Sequence, residues 1–283
     1  ADRLRAATIG NPYVNSLGMQ FVPVPGQKGT FMCRTETRVQ DYRAYVQATG
    51  YTQGGGVMEF KDGKNLLEPS ASWRDPGFHQ RGNHPVGCVS WEEARAFCAW
   101  LTESEEGLVY RLPSDAEWSA AVGTEKYPWG SGWPAPAIAG NYFSKEMLGE
   151  YPAFPVASEI DDGFTRTAPV GSFAPNPFGF FDLGGNVWEW CEDKYRSSMN
   201  SAELLEEVPA LRKETAEDGT PFRVRRGGSW INNSVMSLRS SYRVYNLPTA
   251  RVFNFGFRVV AEASSDDEPG LPALLRNKQQ VKD

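Results

Sequence analysis

Apolar residues recur at the spacing of an amphipathic helix in three segments, residues 37–50, 91–103 and 114–121. Each segment begins with, or directly follows, a hydroxyl side chain that has Glu or Gln three positions after it. This arrangement is a capping box, in which both side chains satisfy free backbone N–H groups at a helix start. The three pairs are Thr37 and Gln40, Ser90 and Glu93, and Ser114 and Glu117. We therefore predict three helices, and we expect Gly50 to end the first in the left-handed conformation.

Shorter segments have the alternation or the β-branched content of strands. Residues 19–24 alternate before a Pro-Gly turn, and residues 85–89, which include Cys88, lead directly into the second predicted helix. Residues 223–225 and 256–260 complete the predicted set of strands.

The composition favours one irregular globular domain. The chain has 283 residues, of which 40% are hydrophobic, with 28 Gly, 20 Pro and 9 Trp. This hydrophobic content is sufficient for a substantial core. Residues 123–185 show little periodicity, and a loop of that length within a compact domain needs another source of order. Bound metal is one such source.

Charge and termini narrow the classes of function. A net charge of −6 argues against a nucleic-acid surface, which requires clustered Lys and Arg. No apolar run approaches the ~20 residues of a membrane span, and the first residues lack a signal-like apolar stretch. We therefore expect a soluble protein with no membrane span and no nucleic-acid partner, with the cytoplasm as the favoured compartment. Four scattered cysteines indicate structural thiols and not a disulfide framework.

Three short blocks carry a resemblance to a known family. Residues 184–193 read Gly-Gly-Asn-Val-Trp-Glu-Trp-Cys-Glu-Asp, residues 226–230 read Arg-Gly-Gly-Ser-Trp, and residues 255–260 read Phe-Gly-Phe-Arg-Val-Val. Together they resemble the formylglycine-generating enzymes, also called sulfatase-modifying factors. The sequence similarity to this family extends from about Asn15 to Val260. The sequence is also similar to modules attached to bacterial serine/threonine kinases.

The resemblance implies an α+β fold of the C-type-lectin-like type, a single domain with short mixed sheets, two main helices and much ordered coil. We expect an N-terminal extension at residues 1–14, the family domain at residues 15–262 and a flexible tail at residues 263–283. Residues 197–219 form an acidic, helix-compatible insert in the domain. Fusion to, or association with, a larger signalling protein is a further expectation.

The residues that the family uses for catalysis are missing. Catalytic members carry a copper-binding cysteine pair just after the Gly-Gly-Ser-aromatic turn, whereas residues 231–238 contain no cysteine. A related branch needs a His-x-x-x-His-x-Glu iron motif, but His79 and His84 have the wrong spacing. We expect neither copper nor iron and no catalytic residues of these types. Enzyme activity through paired carboxylates stays open.

The resemblance also implies calcium, because catalytic relatives hold two calcium ions in the irregular segment. The first site would use the side chains of Asn141 and Asp162 with the carbonyls of Tyr142 and Phe164. The second would use Asp182 and Glu189 through their side chains, together with Gly185 and Val187. All of these ligands are hard oxygen donors, as calcium requires. In the alternative, Asp162 and Asp182 only cap turns and Glu189 pairs with an arginine.

Residues 231–255 are rich in aromatic, Asn and Ser side chains, as in antibody-like binding surfaces. We expect a face there that binds a protein or peptide. Its candidate residues are Trp230, Asn232, Asn233, Ser237, Tyr242, Tyr245, Asn246 and Phe253. The same residues could instead belong to the core and loops of the last strands.

Three functions therefore stay open. The first is a non-catalytic, calcium-stabilised binding or scaffold module with its ligand face at 231–255. The second is an oxidoreductase of the sulfatase-modifying type that acts through an unrecognised site. The third is a ligand-binding variable protein of a diversity-generating retroelement, because the segment also resembles the variable region of such proteins.

Overall fold

The protein, represented by a computed structural model, is described over residues 1–61, 64–136, 139–149 and 162–264. Within these residues it has α1 (Asp2–Arg5), α2 (Val39–Thr49), α3 (Trp91–Ser104), α4 (Asp115–Val122) and α5 (Ala202–Glu207). The strands are β1 (Tyr13–Val14), β2 (Gln20–Pro23), β3 (Thr30–Cys33), β4 (Val57–Lys61), β5 (Lys64–Glu68), β6 (Leu108–Arg111), β7 (Trp188–Lys194), β8 (Arg223–Arg226), β9 (Val244–Asn246), β10 (Phe255–Gly256) and β11 (Val260–Ala263). The predicted α+β class is confirmed.

Two sheets organise the chain. The first has the order β1-β2-β3-β11-β6 and is antiparallel throughout. The second has the order β10-β7-β8-β9, in which β10 is parallel to β7 and the other pairs are antiparallel. A separate ribbon joins β4 and β5. The helices α2 and α3 pack against each other, with Tyr42 and Tyr45 of α2 in ring contact with Phe97 of α3.

The helix predictions hold at α3 and α4 and fail in detail at α2. At α3, Ser90 Oγ accepts the Glu93 N–H at 3.2 Å and Glu93 accepts the Ser90 N–H at 2.8 Å. The capping box of Ser114 and Glu117 forms in the same way at the start of α4. The Thr37–Gln40 box at α2 is wrong, because the N-cap is Arg38 and its N–H donates to the Asp41 carboxylate at 2.9 Å.

Two strand predictions are also wrong. Residues 85–89 are not a strand, because their N–H groups bond to separate segments and Cys88 has a φ of 59°. The neighbouring backbone is so close that a Cβ atom on Gly87 would lie 2.5 Å from the Phe253 oxygen. The predicted strand 256–260 is divided between β10 and β11, since the chain leaves one sheet there and enters the other.

Residues near the N-terminus and in the insert contribute to packing. Leu4, in the expected N-terminal extension, is fully buried, and most of the expected C-terminal tail lies outside the described residues. The insert forms α5 and two short 3-10 helices, with Leu204 and Leu211 buried, which confirms its helical character. Cys98 lies in α3 as expected, and all four cysteines are buried and free. No helix in the described ranges combines the length and apolar character that crossing a bilayer demands.

Candidate functional site

The coil between α4 and β7 is held together where two of its segments cross. Asn141 Nδ2 donates to the Arg166 carbonyl at 2.7 Å and to Asn186 Oδ1 at 3.1 Å. In return the Asn186 N–H donates to the Asn141 carbonyl at 2.9 Å. Gly185 has a φ of +85°, and a Cβ atom there would lie 2.2 Å from the Asn141 oxygen. The crossing therefore requires glycine at this position.

The structure brings the members of the first predicted calcium set together. Asp162 Oδ2 accepts the Tyr142 N–H at 3.1 Å, and Asp162 Oδ1 accepts the Phe164 N–H at 3.0 Å. Asn141 Oδ1 is buried and has no hydrogen-bond partner among the residues that the structure describes. A buried amide oxygen without a donor, on the residue before one whose N–H donates to a carboxylate, fits the oxygen preference of calcium.

The second predicted set is arranged differently. Glu189 is fully buried, and both of its oxygens are engaged. Its Oε1 accepts from Arg258 Nη2 at 2.5 Å, and its Oε2 accepts from Arg258 Nε at 2.6 Å and from Trp118 Nε1 at 2.9 Å. Glu189 therefore pairs with an arginine, as the alternative interpretation expected, and its carboxylate fits poorly as a calcium ligand. Asp182 accepts the Gly171 N–H at 2.7 Å.

Sequence reasoning missed Glu36, a third buried acid at this place. Its carboxylate accepts from Asn186 Nδ2 at 2.7 Å and from the Val187 N–H at 3.1 Å. Burial, followed by the negative charges of Asp182 and Glu189, raises the pKa of Glu36 well above its usual value. Burial likewise raises the pKa of Asp182 to about 6. Glu36 is 150 positions from Asn186 in the chain, and no local motif connects the two.

Calcium can bind carbonyl oxygens, so the number of acidic side chains alone does not decide these sites. Across the described ranges, no group of three or more His, Cys, Asp and Glu side chains is placed to hold a metal ion. The first predicted set depends instead on Asn141, Asp162 and two carbonyls. Of the two predicted sets, it is the one with a side-chain oxygen, Asn141 Oδ1, that has no hydrogen-bond partner among the described residues.

A polar cluster lies directly after the Gly-Gly-Ser turn. Ser229 Oγ donates to Asn232 Oδ1 at 2.7 Å, and Asn254 Nδ2 donates to Ser229 Oγ at 2.8 Å. Trp230 Nε1 and Asn254 Oδ1 are buried and have no hydrogen-bond partner in the described part of the chain. Among the described residues, the cluster of Ser229, Asn232 and Asn254 thus has an acceptor without a partner, and the residue after Ser229 carries a donor without one.

Three expected members of the ligand face are core residues. Trp230, Tyr242 and Phe253 are only 1%, 9% and 4% exposed. Trp230 packs against Phe253 and Phe78, with ring centroids 5.3 and 5.9 Å away. The expectation that these side chains form an exposed face is wrong. An aromatic-rich segment occurs both at binding surfaces and in cores, so its composition does not indicate which way the side chains face.

The remaining candidates lie in two different surroundings. Asn232, Asn233 and Ser237 are half-buried in the loop after the turn. Tyr245 and Asn246 line a cavity of about 620 Å³ beside residues 213–217 of the insert. Tyr245 stacks on Phe222 with centroids 4.3 Å apart, and its hydroxyl donates to the Ala210 carbonyl at 2.7 Å.

An α+β domain with a long ordered coil between α4 and β7 and a Gly-Gly-Ser turn is typical of the C-type-lectin-like class. Formylglycine-generating enzymes belong to this class. Residues 27–263 match the model of the sulfatase-modifying factor enzyme 1-like domain. The chain belongs to this family.

Proteins that are similar to this chain in sequence include some named as enzymes and some named as inactive. The formylglycine-generating enzyme of Thermomonospora curvata is 34% identical over 69% of this chain. The inactive C-alpha-formylglycine-generating enzyme 2 of Mus musculus is 34% identical over 83% of this chain and 73% of its own length. The chain spans 62% of the Thermomonospora enzyme and 49% of the mouse formylglycine-generating enzyme.

Solved structures share the fold. PvdO from Pseudomonas aeruginosa has a TM-score of 0.57 at 26% identity, with 82% of this chain and 80% of PvdO covered. Treponema denticola variable protein 1 has a TM-score of 0.52 at 22% identity, with 88% of this chain and 89% of that protein covered. The second likeness concerns the fold alone.

The Glu189–Arg258 pair leads to a prediction about stability. We expect Arg258→Met to lower the free energy of unfolding by about 3–5 kcal/mol, because it leaves a buried carboxylate without its counter-charge. Adding Glu189→Gln should recover part of this loss, since the uncompensated charge is then removed. Urea denaturation of both variants measures the effect. A double variant that is as unstable as Arg258→Met would contradict the electrostatic explanation.

Proposed function

We propose that this chain is a ligand-binding module of the family that does not oxidise cysteine. Residues 231–238 contain no thiol. Burial raises the pKa of Cys33, Cys88, Cys98 and Cys191, which favours the neutral thiol over the thiolate that nucleophilic and copper chemistry requires. The mouse relative named as inactive supports a non-catalytic branch.

The polar cluster after the turn is the observation that carries the proposal. A buried donor or acceptor without a partner costs about 1–3 kcal/mol, so such atoms are normally satisfied by water or by a ligand. Trp230 Nε1 and Asn254 Oδ1 offer one of each. Ser234 and Val235, on the same loop, are exposed, which gives a ligand a surface to approach.

A peptide is the ligand class that we propose. A peptide group has one N–H donor and one carbonyl acceptor, which are the two kinds of group that Asn254 Oδ1 and Trp230 Nε1 lack among the described residues. The side chains around the cluster are aromatic and amide, a combination that gives contact area together with adaptable hydrogen bonding.

Selection of peptides from a random display library on the immobilised chain tests this function. We expect enriched peptides whose affinity falls about fivefold in Trp230→Phe, because Phe keeps the aromatic packing but lacks the donor, and a hydrogen bond contributes ~1 kcal/mol. The change breaks no internal hydrogen bond, since Trp230 Nε1 has no partner among the described residues.

Trp129→Phe is the matched control. Trp129 Nε1 donates to the Gly132 carbonyl at 2.8 Å and is not a member of the polar cluster. Peptide affinity should be unchanged in this variant. The proposal is wrong if no peptide is enriched, or if enriched peptides bind both tryptophan variants as they bind the native chain.

We also propose that calcium stabilises the coil through the first predicted set. Asn141 and Asp162 would hold it by side-chain oxygens, with the carbonyls of Tyr142 and Phe164. The buried and unpartnered Asn141 Oδ1 supports this assignment. Bound calcium would supply a fixed positive charge that orders these oxygens and would have no part in a reaction.

Thermal and urea unfolding with calcium and with a chelator test the metal. Calcium at 100 times its dissociation constant should stabilise the native chain by about 2.7 kcal/mol through mass action. Asp162→Asn should remove most of this gain, whereas Asp2→Asn, at an exposed position, should keep it. A stability that responds neither to calcium nor to chelator would contradict the calcium proposal.

A further inference from the structure

Three arginines are buried in the described part of the chain, and one of them has no carboxylate partner. Arg258 pairs with Glu189, and Arg226 pairs with Asp115. Arg225 is 5% exposed, and no acidic side chain in the described residues lies within ion-pair distance of it. Arg225 therefore differs in its electrostatic environment from the two arginines that stabilise the fold.

Aromatic rings surround Arg225. Its guanidinium carbon lies 3.5 Å from the centroid of Phe255, 5.3 Å from that of Trp188 and 5.6 Å from that of Trp190. Nη2 donates to the Tyr245 carbonyl at 3.1 Å. Nε is buried and lacks a hydrogen-bond partner within the described ranges. The guanidinium of Arg225 has five N–H donors, and among the described residues it has one hydrogen-bond acceptor, the Tyr245 carbonyl.

This environment is unfavourable for the protein by itself. Burial lowers the pKa of Arg225 to about 9, so the side chain still carries its charge near neutral pH. Cation–π contacts contribute about 2 kcal/mol when they are desolvated, while the effective cost of burying an ion is several kcal/mol. An added anion would supply the missing counter-charge.

Two of the rings around Arg225 are connected to the polar cluster through the backbone of Asn254. Phe255 is the next residue after Asn254, and the Trp188 N–H donates to the Asn254 carbonyl at 2.9 Å. Trp188 and Tyr242 are both buried, at 6% and 9% exposure. The guanidinium of Arg225 interacts electrostatically with Tyr242.

We infer that Arg225 binds a carboxylate of the ligand, through the fork of N–H donors that arginine offers to carboxylates. The inference rests on the proposed peptide-binding function and specifies its ligand as a peptide with an acidic side chain or a free C-terminus beside the recognised amide. Trp188 and Phe255 hold the guanidinium in place for this contact.

Thermal unfolding of the full chain in sodium acetate, compared with sodium chloride at equal ionic strength, tests the site. Acetate should raise the melting temperature of the native chain in a saturable way. Arg225→Met should lose this response and melt at least as high as the native chain in chloride, since no carboxylate loses its partner. Arg212→Met, at an exposed arginine, should respond as the native chain does.

Enriched peptides provide a second measurement and distinguish the two sources of carboxylate. Replacing the recognised carboxylate by its amide should weaken binding about tenfold or more, equivalent to ~1.4 kcal/mol. Sensitivity to C-terminal amidation assigns the terminus, and sensitivity to Asp→Asn or Glu→Gln assigns a side chain. In Arg225→Met the amide and the carboxylate should bind equally.

An acetate response in Arg225→Met equal to that of the native chain would overturn the inference. So would the absence of an acetate-specific effect on the native chain, which decides the question even if Arg225→Met does not fold. Peptides that need Trp230 and are indifferent to Arg225 would refute the carboxylate site and leave peptide binding intact. An acetate response that needs Arg225, without any enriched peptide, would support the carboxylate site and refute peptide binding.

Discussion

The buried pair of Glu189 and Arg258 is the interaction on which the rest of the structure depends. Arg258 lies between β10 and β11, where the chain crosses from the second sheet to the first. Its guanidinium also donates to the carbonyls of Cys33, Arg34 and Phe181 at 3.4, 3.2 and 3.0 Å. One side chain thereby connects β7, the end of β3 and the coil before β7. Because Glu36 and Asp182 add negative charge nearby, the same arginine also balances the buried acids.

Local signals were sufficient for part of the fold. The capping boxes of Ser90 and Ser114 involve atoms three residues apart, and both form as the sequence indicates. The prediction of a strand at 85–89 is wrong because its apolar residues are buried by segments far along the chain. Such burial does not require pairing with a neighbouring strand, and the N–H groups bond to separate segments. The division of 256–260 likewise follows from the two-sheet architecture, which a five-residue pattern does not encode.

The site was less predictable, for physical reasons that differ from residue to residue. Asn141 and Asp162 do approach each other, as the family resemblance implied. Glu36 has no local motif, and its position follows only from the packing of β3 and α2. Tyr242 and Phe253 are suited by composition to a binding surface and equally to a core. Arg225 is the neighbour of Arg226 in sequence, but of the two only Arg226 pairs with a carboxylate among the residues that the structure describes.

These features describe a domain of this family in which residues 231–238, after the Gly-Gly-Ser turn, contain no cysteine. The four thiols are buried elsewhere, and the side chains of Ser229, Asn232 and Asn254 at the turn are joined by hydrogen bonds. The account therefore proposes that the chain does not oxidise cysteine. Oxygen consumption with Cu(I) and a cysteine-containing peptide tests this claim most directly. The account predicts the same rate as a heat-denatured control, and a higher rate that requires the folded chain would contradict it.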